Sequence, residues 1–119
     1  MGSERPVFCD QKHHTMDRFL GVCLLLLVKR KPDYGYALMD NLREFGFSDL
    51  NIGAVYRTLR KLESYNLVTS TWKAAVQGPK RREYQITRQG EEELFLWIDM
   101  LRDRKQKLTT VIDAYEKLK

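Results

Sequence analysis

Two cysteines occur in this 119-residue chain, Cys9 and Cys23, and they form no CxxC pair and no metal-like spacing. The two histidines, His13 and His14, stand side by side with no third ligand near them, so no metal is called for. No glycine-rich phosphate loop is present, and no Ser/His/Asp or Cys/His set could converge. The acids cluster instead as Glu91-Glu92-Glu93, which a helix dipole and solvation account for. An enzyme and a cofactor are therefore not expected. Long apolar runs are also missing. The longest, Phe19–Val28, is about half of a membrane span and contains Gly21. A charged segment precedes it and no small-residue cleavage site follows, so neither a membrane anchor nor a signal peptide is read here. A reduced Cys23 within that apolar run fits the cytoplasm.

What is present is charge of one sign in one place. Between Asn51 and Gly90 there are eight basic residues (Arg57, Arg60, Lys61, Lys73, Lys80, Arg81, Arg82, Arg88) and two acids (Glu63, Glu83), a net +6. The whole chain carries +5, so its flanks sum to −1. A basic centre between near-neutral flanks suits a polyanion-binding face. At 43% hydrophobic and 31% charged, the composition is that of one globular domain with a modest core.

Hydrophobic periodicity places the elements. Residues 1–15 lack it and are read as a flexible N-terminal arm. From Met16 to Arg30, Phe19, Leu20, Cys23, Leu24, Leu27 and Val28 make one broad apolar face, widened by Leu25 and Leu26, until Pro32 stops the helix. Asp33 is positioned to cap a second helix, Tyr34 to Phe45, with Gly46 as its stop. A third helix runs from Asn51 to Tyr65. Ile52, Val55, Tyr56, Leu59 and Leu62 share one side; Ala54, Arg57, Thr58 and Lys61 share the other, with Arg60 at its flank. Leu67–Ala75 and Lys80–Ile86 are strand-like around the turn Val76-Gln77-Gly78-Pro79, a hairpin with a basic tip. Thr87 caps a last helix that has no breaker after Gly90. Leu94, Leu101, Leu108 and Tyr115 recur every seven residues along it, with Trp97, Val111 and Leu118 on companion positions and Ile98 and Ile112 beside them.

Three helices, a two-stranded wing and a long helix make a mainly α fold with a small β-hairpin, a winged helix-turn-helix. The expected division is an arm (1–15), a DNA-binding domain (16–87) and a C-terminal dimerisation helix (88–119). Helix three would present Ala54, Arg57, Thr58 and Lys61 to a major groove. Lys80, Arg81 and Arg82 at the wing tip would meet the backbone of double-stranded DNA. Tyr56 of helix three would pack its ring against helix two near Tyr36, the pair supporting the reading helix. Leu94, Trp97, Leu101, Leu108, Ile112 and Tyr115 would bury a homodimer seam.

Several segments resemble one family. They are Tyr34-Gly35-Tyr36 at the start of helix two, the run Ala54–Glu63 in helix three, Asn66-Leu67-Val68 after it, and Gly78–Gly90 across the hairpin and its exit. Together they resemble the PadR-like winged helix-turn-helix regulators, in their compact branch with one C-terminal helix. Asn66 stands where that family usually has glycine, and asparagine also adopts positive φ. The resemblance implies a homodimeric repressor on a palindromic operator, released in some members by a small hydrophobic or aromatic effector. It also makes the polyhydroxybutyrate-responsive repressors the nearest sub-branch, from the Gln77-Gly78-Pro79 wing and the Trp97 context. Two other readings stand beside it. One is a winged helix that binds protein, which the basic helix and wing disfavour. The other is a sensor without DNA activity, with Trp97 and Tyr115 lining its pocket.

Overall fold

A computed structural model of the chain describes residues 15–74 and 77–119. The expected arm, except Thr15, lies outside them with Cys9 and His13-His14, as do Ala75 and Val76 of the expected hairpin.

The first helix, α1 (Thr15–Arg30), is the centre of the molecule. Leu20, Val22, Cys23, Leu24, Leu25, Leu27 and Val28 are all buried. A helix apolar on every side must be surrounded, and α1 packs against elements that follow it in the chain, from the second helix to the last. Desolvation pushes the Cys23 thiol up to about 12, so it stays a neutral core group.

Pro32 ends α1, and the next two residues correct the sequence reading. Asp33–Tyr34 form a short strand, β1. The Asp33 carboxylate accepts from the Tyr34 N–H at 2.9 Å and caps no helix. Helix α2 (Gly35–Asn41) gives way to a 3₁₀ turn over Leu42–Phe45, so the single helix expected over 34–45 is split before Gly46 (φ 95°) ends it. Arg30 grips Glu44 in this turn through two hydrogen bonds of 3.0 and 2.9 Å.

Helix α3 (Ile52–Ser64) is capped by Asn51, whose side chain accepts from the Ala54 N–H at 2.9 Å. Asn66 takes φ 66°, the left-handed turn its place in the motif requires. Strands β2 (Val68–Lys73) and β3 (Arg81–Ile86) pair antiparallel from Val68↔Ile86 to Lys73↔Arg81. β1 joins the free edge of β3, and the sheet order is β1-β3-β2.

The last helix, α4 (Arg88–Glu116), starts at a locked corner. The Thr87 N–H donates to the Leu67 carbonyl at 3.0 Å. The Thr87 hydroxyl donates to the Asn66 carbonyl at 2.7 Å and accepts from the Gly90 N–H at 2.9 Å. Gly90 is buried so tightly that a Cβ would collide with the Leu67 carbonyl oxygen and with Ile86 Cγ1. From this corner α4 runs back over α1. Leu94 and Trp97 are buried, and Lys29 pairs with Glu91 at 2.9 Å.

Here a second correction follows. Leu94 and Trp97 belong to the protomer's own core, not to a seam open to a partner. Leu101 is half-buried at the edge of that core, and every residue from Arg102 onward is exposed. The first turns of α4 are part of the winged-helix unit, and the rest stands away from it, which helps stretch the molecule to 60 × 38 × 24 Å.

Gly90→Ala should destabilise the fold by roughly 1–3 kcal/mol, the usual range for forcing a methyl into packed structure. Chemical denaturation followed by circular dichroism measures it. An unchanged midpoint would mean that the corner yields freely.

Candidate nucleic-acid interface

The outward face of α3 is set by three fully buried residues, Val55, Leu59 and Leu62. At 100° per residue, the opposite face carries Gly53, Arg57, Arg60 and Ser64. Burial agrees: Arg57, Arg60 and Ser64 are exposed, while Ala54 and Lys61 are half-buried at the margin. Thr58, expected to face outward, is buried at 9% exposure. Its hydroxyl donates to the Ala54 carbonyl one turn back at 3.0 Å, which satisfies the group and permits its burial. Thr58 is thus removed from the surface set, and Arg60 moves from the flank to the centre. Glu63 is half-buried, its carboxylate accepting from the Ser70 hydroxyl at 3.0 Å.

Tyr56 is the hinge between α2 and α3. Its ring meets Tyr36 edge-on, with centroids 6.4 Å apart, as the sequence reading expects. The same ring lies over Gly35, where a Cβ would sit 2.6 Å from ring carbons. Glycine at this position lets α2 start directly under the tyrosine.

At the wing tip Arg81 and Arg82 meet different aromatic partners, and Lys80, Arg81 and Arg82 all border one cleft. Alternation along β3 sends Arg81 and Arg82 to opposite sides. Arg82 faces inward beside its cross-strand partner Trp72, with the guanidinium 5.4 Å from the ring centroid. Arg81 stacks over Tyr34 of β1 at 5.5 Å. Lys80 precedes the strand and is exposed. Below Arg82 the inner face becomes core: Tyr84 is buried, and burial pushes its phenol up while Arg82 pulls it down less strongly.

Between the inner face of the wing and the α2–α3 pair lies a cleft of about 580 Å³. Its rings come from Tyr34, Tyr36, Tyr56, Trp72 and Tyr84, and its cations are Arg60, Lys80, Arg81 and Arg82. Among the described residues no carboxylate lines it. The recognition-type helix and the wing therefore share one positively charged wall. Sequence reading missed Trp72 and Arg60 here; their signals were an exposed tryptophan in a polar strand and the helical phase of the three strongest apolar residues.

The sequence profile of the PadR-like transcriptional regulators matches residues 24–95, more than half of the chain. The chain belongs to the PadR-like family. No curated protein matches it significantly. Among solved structures, a PadR-like transcriptional regulator from Bacillus cereus is 29% identical, with TM-score 0.70 over 78% of this chain and 90% of that one. A Streptococcus transcriptional regulator is 28% identical, with TM-score 0.73 over 83% and 98%. A PadR family regulator from Clostridium difficile, at 24% identity and TM-score 0.71 over 79% and 98%, shares the fold. As a PadR-like protein the chain is a DNA-binding transcription regulator, and the winged helix expected from sequence is the fold it has. Among the described residues no helix is long and apolar enough to cross a membrane.

Since the Thr58 hydroxyl serves only its own helix, Thr58→Val should leave stability within about 1 kcal/mol of the parent. A thermal melt checks this. A loss well beyond that size would show that the hydroxyl carries more than a local bond.

Proposed function

We propose that this PadR-like regulator represses transcription in the cytoplasm as a homodimer on a palindromic operator. The observation that carries the reading is the shared wall just described, where Arg60 of α3 and Lys80 and Arg82 of the wing converge. In a winged helix such a wall straddles one DNA strand, with α3 in the major groove and the wing on the backbone. Arg57, at the centre of the outward face, is the base reader; its planar fork matches a guanine edge. Lys61 and Ala54 border the groove, and Arg60 and the wing cations neutralise phosphates. Arg81, held over Tyr34 at the border of the cleft, neutralises phosphate beside them. Tyr36 and Tyr56 hold the helices in register.

The dimer is supported by the free half of α4. Leu108, Val111, Ile112, Tyr115 and Leu118 are 55–83% exposed and lie along one stripe. It continues the line of Leu94, Trp97 and Leu101 beyond the domain. A helix that carries an apolar stripe into water is marginal alone and gains stability by packing on another helix. The same stripe on a second copy is self-complementary under two-fold symmetry. Such a dimer would set two reading helices against two half-sites. Release by a small effector would complete the regulatory cycle. The pocket weighed for Trp97 and Tyr115 does not form within the protomer, because Trp97 is in the core and Tyr115 stands about 27 Å further along α4.

Two experiments test the reading. With duplex selected from a random pool, Arg57→Ala should lose about 1–3 kcal/mol of specific binding and less on scrambled duplex. Equal losses on both would make Arg57 a phosphate clamp. In sedimentation, Leu108→Asp with Ile112→Asp should turn a dimer into a folded monomer, since neither side chain touches the core. A parent chain that sediments as a monomer at micromolar concentration would overturn the dimer.

A further inference from the structure

The geometry points to the wing cleft as a binding site for a free purine nucleotide, one whose occupancy excludes the operator. The exclusion rests on the DNA reading above; the binding does not. At about 580 Å³ the cleft falls within the usual range of small-molecule sites. Its lining combines two chemistries that a nucleotide needs together. Trp72 and Tyr36 are 62% and 63% exposed, so flat faces stand open beside Tyr56. Such rings hold bases by stacking. Arg60, Lys80 and Arg82 supply cations with no acid among the lining residues, which suits a phosphate carrying more than one charge. Arg82 is already held over the Trp72 ring, its guanidinium 5.4 Å from the centroid, so a cation and an exposed indole stand together in the cleft.

A duplex does not use this wall fully. Its bases are stacked within the helix, and it presents sugar and phosphate to a cleft whose larger surface is aromatic. A free nucleotide presents both base and phosphate. Once bound it would take up Arg60, Lys80 and Arg82, the cations assigned to the operator backbone, so the two ligands would compete directly.

ADP without added metal is the probe, with adenosine and pyrophosphate as its halves. Trp72 is the exposed indole and Trp97 the buried one, so quenching of intrinsic fluorescence reports on the cleft. ADP should quench saturably and bind at least about tenfold tighter than either half. Trp72→Ala should weaken ADP about tenfold when followed by calorimetry, in line with the loss of one stacking platform. Tyr36→Ala, at an equally exposed ring, provides a second variant, its fold checked by circular dichroism. ADP should also release duplex from the parent chain. Absence of ADP binding at millimolar concentration, affinity no better than pyrophosphate, or affinity unchanged in both variants would each overturn the site. A chain that shifts duplex but ignores ADP loses this inference alone. A chain that binds ADP in the cleft but never binds duplex loses the DNA reading and keeps the site.

Discussion

The contact on which this architecture turns is the corner where α4 leaves the wing. Gly90 lies against the Leu67 carbonyl with no space for a side chain, and Thr87 ties the same segment through three hydrogen bonds. These contacts fix the direction of α4 relative to the base of the wing. Given that direction, Leu94 and Trp97 fall onto α1 and close the core. Without it the apolar side of α1 that faces α4 would be left to water. The corner also aims the free half of α4, and therefore any partner that half recruits, relative to α3.

Much of this was legible in sequence because it depends on local chemistry. Pro32, Gly46 and Asn66 act through their own backbone and Asn51 and Thr87 through caps on the adjacent turn, and each marks its boundary within a residue or two. β1 was not legible, since two residues offer no period and the strand exists only because β3 has a free edge. The phase of α3 read from sequence is rotated by about 30° for an instructive reason. Ile52 and Tyr56 were weighed equally with Val55, Leu59 and Leu62, but both are only half-buried. They draw the apparent core side toward themselves and hide Arg60 while exposing Thr58. Threonine is ambiguous on a wheel, because its hydroxyl can be satisfied inside its own helix.

The cleft could not be read from any single segment. Tyr36, Tyr56, Trp72 and Arg82 belong to α2, α3, β2 and β3, and only the crossing of the sheet over the α2–α3 pair brings them together. The alternation of β3 is visible in the sequence, and it puts Arg82, Tyr84 and Ile86 on one side. What it could not show is that this side passes from core to cleft between Tyr84 and Arg82. The same side chains that stabilise the base of the sheet thus lead directly into the surface that meets a polyanion.

The seven-residue recurrence on α4 was correct as a pattern and incomplete as an assignment. One stripe serves two purposes, and the change occurs near Arg104, the charged residue that interrupts it. Up to Leu101 the stripe packs on α1; from Leu108 it is exposed. The helix has no proline or glycine after Gly90, so both halves turn as one rigid rod. In the proposed dimer, a rotation of the seam would twist Leu94 and Trp97 against a close-packed core, which resists small displacements. The corner at Gly90 resists the same twist from the other end. A dimer joined through such rods would hold its two α3 helices at a nearly fixed separation. Ligand control of DNA binding would then be more readily achieved at the wing, whose tip is exposed, than by bending α4.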